Sequence, residues 1–97
     1  MQIEKTREGD RLTFKVVGRL DTNTSPDLEA ALELDGVKEA VFDFAELDYI
    51  SSAGLRILMT AQRALQAAGG RVLVARPNDM VRGVLDMTGL SGVFEIV

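Results

Sequence analysis

The chain has 97 residues, a hydrophobic fraction of 46%, a charged fraction of 27% and a formal charge of −4, a balance that fits one globular domain over residues 1–97 with a single core. The negative charge argues against nucleic acid and anionic membrane surfaces, which are bound through clustered Lys and Arg, and no apolar run approaches the ~18 residues of a membrane helix. Cysteine and histidine are both absent, which removes disulfides, thiolate and imidazole metal ligands, and the usual base behind a serine or cysteine nucleophile.

No basic, apolar leader opens the chain, so a cytoplasmic location is expected. Met1–Thr6 is a first strand with Ile3 as its apolar anchor, and Arg7-Glu8-Gly9-Asp10 is a turn. Leu12, Phe14 and Val16 alternate with Arg11, Thr13 and Lys15, which predicts a half-buried strand and a hairpin with the first. Gly18-Arg19-Leu20-Asp21 closes that strand.

Thr22-Asn23-Thr24-Ser25-Pro26 is loop chemistry leading into a helix. Ser25 as N-cap with Pro26 at the first helical position is the simplest reading; Thr24 with Asp27 three residues on is the competing one. Leu28, Ala31 and Leu32 form its inner face, and Gly36 ends it. A third strand runs from Val37 and Ala40 through Phe44.

A longer helix follows Ser51-Ser52. Leu55, Leu58, Met59, Gln62 and Leu65 share one face, with Ile57, Ala61, Ala64 and Ala68 beside it. Gly69-Gly70 stops it; a phosphate loop is the weaker reading there, because no Lys-Ser/Thr follows. The apolar run Arg71–Ala75 predicts a strand covered on both faces. Asn78 or Asp79 caps a last helix whose Met80, Val84 and Met87, with Val81 and Leu85, are expected to face the core. Val93–Val97 is a final strand.

The expected order is therefore β-β-α-β-α-β-α-β, an α/β domain with a mixed, mostly parallel sheet and right-handed crossovers. Parallel second and third strands would put their C-terminal ends on one edge of the sheet. The Asp21-Thr22-Asn23 loop and Ser51-Ser52 would then share the edge where open α/β sheets bind ligands. Ser51 and Ser52 stand where a strand hands over to a helix, with unpaired backbone N–H groups beside them. Such a place can dock, or receive, a negative charge.

Three segments in this order, Gly18–Asp21 (Gly-Arg-Leu-Asp), Tyr49–Leu55 (Tyr-Ile-Ser-Ser-Ala-Gly-Leu) and Met87–Leu90 (Met-Thr-Gly-Leu), together with the strand and helix order itself, resemble a STAS domain. More narrowly the chain resembles the free-standing bacterial anti-sigma factor antagonists, over essentially its whole length. The resemblance implies a phosphoswitch and not an enzyme, with no cofactor and no metal. Its unphosphorylated form would bind an anti-sigma factor that is also a serine kinase of the GHKL ATPase type, freeing a sigma factor. Phosphorylation of a serine at the start of the helix after the third strand would end binding, and a PP2C-type phosphatase would reverse it. The family's phosphorylated serine falls on Ser52, and its Asp after the second strand on Asp21.

Many members carry Asp before the phosphorylated serine and Ser or Thr after it; here Ser51 and Ala53 stand in those places. Ser51 is therefore a rival acceptor or a helix cap. The partner-binding surface implied for this chain comprises Asp21, Thr22, Asn23, Ser51, Ser52, Gly54 and Arg56. Two other readings stand beside this one. Similar free-standing domains serve as subunits of lipid transporters or stress-signalling complexes. A small hydrolase using carboxylates such as Asp43 and Asp48 is opposed by the absent histidine and the lack of a Gly-x-Ser-x-Gly elbow.

Overall fold

The computed structural model describes all 97 residues. Strand β1 (Gln2–Glu8) and strand β2 (Arg11–Leu20) form an antiparallel hairpin that closes at the pair Glu8–Arg11. Its turn is only Gly9-Asp10, with Gly9 at φ 62°, the positive φ a two-residue hairpin needs. The strand therefore runs two residues beyond the expected Thr6, because Arg7 and Glu8 still pair with Leu12 and Arg11.

Strand β2 is the spine of the molecule. Its first half pairs in parallel with β3 (Glu39–Asp43), from Arg11–Glu39 to Lys15–Asp43. Its last three residues pair in parallel with β4 (Leu47–Ile50), with a register shift between Gly18 and Arg19. Strand β4 is absent from the sequence reading, and β3 stops at Asp43 and not at Phe44. A turn at Ala45-Glu46 separates the two, and the Gly18 N–H donates to the Glu46 carbonyl at 3.0 Å. Four residues, one of them the exposed Asp48, give too short a pattern to read as a strand. Strands β5 (Arg71–Ala75) and β6 (Glu95–Ile96) complete the sheet, in the order β1-β2-β3-β5-β6. A 3₁₀ turn at Leu90–Gly92 shortens β6 from the expected Val93–Val97.

The crossovers from β2 to β3, from there to β5 and from β5 to β6 all step the same way along the sheet. Right-handed connections then place α1 (Ser25–Ala31), α2 (Ser52–Ala67) and α3 (Asp79–Met87) on the same face. Buried residues of all three helices join Phe14, Phe42 and Val74 in one apolar cluster. The Phe14 and Phe42 rings stack there at 5.1 Å. The other face bears no helix, which corrects the expectation that β5 is covered twice. Its outer row is a charge ladder, Arg11–Glu39 at 3.2 Å, Glu39–Arg71 at 2.9 Å and Arg71–Glu95 at 3.1 Å. Leu73 is nonetheless buried on that face, paired between Val41 and Glu95.

Two helix expectations change. Helix α1 ends at Ala31, five residues before Gly36, because the chain leaves helical geometry at Leu32, ψ 86°. Helix α3 buries Val81 and Leu85, whereas Met80 is 41% and Met87 89% exposed. Met80 and Met87 thus lie on the outer face, whereas Val84 of the same stripe is half-buried against the core. The nine-residue α3 packs chiefly against β4 and the 3₁₀ turn, and the inward line is Val81 and Leu85 with Val84 beside them. Along α2 the buried line is Leu55, Leu58, Ala61 and Leu65 with Ile57, while Ala64 and Ala68 are exposed. Gln62 is half-buried, with its side-chain carbonyl oxygen buried and unpartnered.

Candidate functional site

Strands β2 and β4 end level. Leu20 and Ile50 are register partners, and the Ser51 N–H donates to the Leu20 carbonyl at 2.9 Å. Asp21 and Ser51 are therefore the next residues on two adjacent strand ends, and the two polar loops form one edge.

On the first loop, the Asp21 carboxylate is occupied by its own turn. Oδ1 accepts from the Asn23 N–H at 3.0 Å, the Thr24 N–H at 3.1 Å and the Thr24 hydroxyl at 3.2 Å. The Thr24 N–H, with the Asn23 N–H, the Thr24 hydroxyl and the Arg19 guanidinium, holds the carboxyl below its ordinary value against the opposing cost of desolvation. The Asp21 carbonyl meanwhile takes the Ser25 N–H at 2.8 Å and the Ser25 hydroxyl at 2.5 Å. Ser25 is thus a buried residue of the first turn and not the expected cap. Thr24 stands at the cap position, but its hydroxyl proton is turned backward, shared between the Arg19 carbonyl at 2.8 Å and Asp21 Oδ1 at 3.2 Å. What this loop offers outward is Thr22 and Asn23, both exposed.

On the second loop the two serines separate in role. Ser51 is the N-cap of α2, its hydroxyl accepting from the Gly54 N–H across a long 3.5 Å. Ser52 is the first residue of the helix and is exposed. The first turn of α2 contains no acidic residue, so the partial positive charge of its N-terminus is uncompensated. Gly54 is a packing position and not surface. It is buried, and a Cβ there would lie 2.8 Å from Leu20 Cγ and 2.9 Å from Ile50 Cγ1. The glycine lets α2 start directly on the strand ends.

Arg56 lies one helical turn beyond Ser52 and is exposed. It lines a groove of about 180 Å³ between α1 and α2, with Thr22, Ser25, Pro26, Glu29, Ala53 and Ile57. Sequence reasoning placed Thr22 and Arg56 on the site but missed Glu29 and the groove, which exist only because α1 and α2 sit side by side. It also missed Arg19, whose guanidinium lies 4.3 Å from the centre of the Tyr49 ring and 3.9 Å from Asp21 Oδ2. Parallel pairing of β2 with β4 makes these two side chains neighbours, and the unread β4 was the missing signal.

The corner is braced from β5. Asp43 accepts from the Ala45 N–H at 3.1 Å and from Arg76 at 2.6 Å. Arg76 holds a left-handed backbone, φ 55°, which costs a non-glycine residue about 1–2 kcal/mol. The Asn78 amide donates to the Leu47 carbonyl at 3.1 Å while its oxygen caps α3 by accepting the Val81 N–H at 2.8 Å. Asp43 is thus committed to an ion pair, and Asp48 is exposed on β4.

Comparison with known proteins agrees with this geometry. The profile of the STAS domain matches residues 2–97. The chain is 30% identical over 95 residues to the anti-sigma-B factor antagonist of Listeria monocytogenes, covering 95% of this chain and 83% of that protein. It is 25% identical over 99 residues to the anti-sigma-B factor antagonist of Staphylococcus aureus, covering 99% and 92%. Among solved structures, the anti-sigma factor antagonist SpoIIAA in its unphosphorylated form superposes with a TM-score of 0.87 at 20% identity, over 99% of this chain and 88% of that one. The phosphorylated form of the Bacillus cell fate determinant SpoIIAA gives 0.78 at 20% identity, over 99% and 91%.

Proposed function

The chain belongs to the STAS domain family, and from that premise we propose that it is a cytoplasmic anti-sigma factor antagonist, a binding protein switched by phosphorylation of Ser52. The unmodified protein binds an anti-sigma factor that is also a serine kinase of the GHKL ATPase type. The kinase moves the γ-phosphoryl group of ATP onto Ser52 Oγ, releasing ADP and the hydroxyl proton. A PP2C-type phosphatase removes the phosphate by hydrolysis.

The observation that carries this reading is the position of Ser52. It is exposed at the first helical residue of α2, on the same edge as Thr22 and Asn23 and one turn from Arg56. Ser51, the rival, has its hydroxyl engaged as the cap. A phosphoserine carries about −1.5 to −2 charges at neutral pH. The helix N-terminus tolerates that charge, so the fold need not change. A partner seated on the edge would instead meet a new charge beside Asp21 and Asp48, a like-charge contact that costs several kcal/mol. Both the unphosphorylated and the phosphorylated SpoIIAA share the fold of this chain, which supports a switch by surface charge.

The test is capture from a lysate of the host with the wild-type protein, Ser52→Ala and Ser52→Asp. Wild type and Ser52→Ala should retain a GHKL-type ATPase that Ser52→Asp does not. Equal retention by Ser52→Asp overturns the switch. Retention of a transporter ATPase or of a large stress-signalling assembly in its place would establish the interaction-subunit reading.

A further inference from the structure

Most of the chain's 11 Lys and Arg side chains hold a carboxylate or a backbone carbonyl. Arg56, Arg63 and Arg82 hold neither and are exposed. Of these three, Arg56 alone lines the groove beside the edge described above. It is four residues after Ser52 on the same helix, so the two side chains project from one face about 5–6 Å apart at Cβ. The acidic member at i and the basic one at i+4 is the favoured orientation of such a pair on a helix. Across the groove, Glu29 is the only other charged lining residue.

We propose that Arg56 is the intramolecular counterion of phosphorylated Ser52. The inference rests on the reading of Ser52 as the acceptor, and it adds a second part to the switch. A guanidinium offers paired N–H donors that match two phosphate oxygens. Arg56 is free to turn because no other carboxylate holds it. When it turns toward the phosphate, the groove loses its single cation and keeps Glu29. Phosphorylation then changes two places on the partner surface: a charge appears at Ser52, and the groove between α1 and α2 becomes purely acidic. Helix α2 itself contains no acid that could compete for Arg56. The acids of the surrounding elements, Asp21 after β2, Glu29 on α1 and Asp48 on β4, oppose the second ionisation of the phosphate, whereas Arg56 and the helix N-terminus favour it.

Phosphoserine placed at position 52 of the full chain by co-translational incorporation makes the measurement independent of any kinase or partner. Phosphorus NMR then follows the second phosphate ionisation against pH, ordinarily near 6. Arg56→Gln should raise that midpoint by about 0.2–0.4 unit, the size expected when the second ionisation adds one unit charge to a helical i,i+4 pair. Arg56→Lys should restore most of it, and Arg63→Gln should leave it unchanged. Coincident titrations of wild type and Arg56→Gln overturn the proposal. An equal shift with Arg63→Gln also overturns it, since the effect would then be net charge and not a pair. Failure of the capture experiment above overturns the acceptor reading without altering this titration, so the two failures are distinguishable.

Discussion

The Ser51 N–H donates to the Leu20 carbonyl at 2.9 Å, and this bond ties the end of β4 to the end of β2. Everything proposed for the surface depends on it. Asp21 follows Leu20 and Ser52 follows Ser51, so the two loops cannot separate without breaking strand pairing. Gly54 packs on the same junction from above, and Asn78 holds β4 from behind through the Leu47 carbonyl. The proposed acceptor Ser52 therefore sits on a braced corner, in keeping with a change of charge and not of fold.

Gly54→Ala tests the junction. An alanine inside a helix is ordinarily favoured over glycine by about 1 kcal/mol. Here its Cβ would meet Leu20 and Ile50 side chains at 2.8 and 2.9 Å, an overpacking that costs about 1–3 kcal/mol. Urea denaturation should show net destabilisation. The Ser52 amide resonance should shift as well, because α2 must lift from the strand ends.

The serines should part company under alanine substitution. Ser51→Ala removes a side-chain cap, worth about 0.5–2 kcal/mol in general. The 3.5 Å contact places this one near the lower end. Ser52→Ala should leave stability within about 0.5 kcal/mol. Phosphopeptide mapping of protein from the host should find the phosphoryl group on Ser52 in wild type and in Ser51→Ala, and none in Ser52→Ala.

How far the sequence was legible follows from which signals are local. The alternation in Leu12-Thr13-Phe14-Lys15-Val16 and the helical spacing of Leu55, Leu58 and Leu65 are local, and both elements stand where they were expected. Asp21, Ser51 and Ser52 were expected on one edge because a parallel third strand would end beside β2; they do share that edge, but through β4, which ends beside Leu20, whereas β3 stops at Asp43. What stayed hidden is tertiary. Strand β4 exists through pairing with the tail of β2, so Arg19 over Tyr49 was unreadable. Ser25 followed by Pro26 looks like a cap in isolation, yet the Asp21 carbonyl takes both its N–H and its hydroxyl. Val81 and Leu85 face inward as expected, but Met80 and Met87 have the same helical period, and only the packing of α3 shows that they face outward.

That last correction carries its own test. Leu85→Ala should cost about 2–5 kcal/mol, the usual range for a fully buried leucine. Met87→Lys, on a side chain 89% exposed, should stay within about 0.5 kcal/mol of wild type. Thermal unfolding of the two variants separates the faces. Equal destabilisation would return the methionines to the core.

Asp21 gives the pH dependence a sign. Its carboxyl is held below the ordinary value of 3.8, chiefly by the Thr24 N–H, so the folded chain binds this proton less readily than the unfolded chain. Such a group stabilises the fold above its unfolded pKa, and the contribution disappears as pH drops through the lower folded value. Asp21→Asn keeps an oxygen acceptor for Asn23 and Thr24 and removes only the charge. The wild type should therefore be the more stable at neutral pH. The gap should hold down to about pH 5, then narrow and close as acidification passes through the carboxylate range. Urea midpoints of both proteins between pH 7 and pH 2 check this. A gap independent of pH would mean that the turn is held by shape alone and that the charge of Asp21 is free for a partner. A closing gap means that the carboxylate belongs to the turn that presents Thr22 and Asn23.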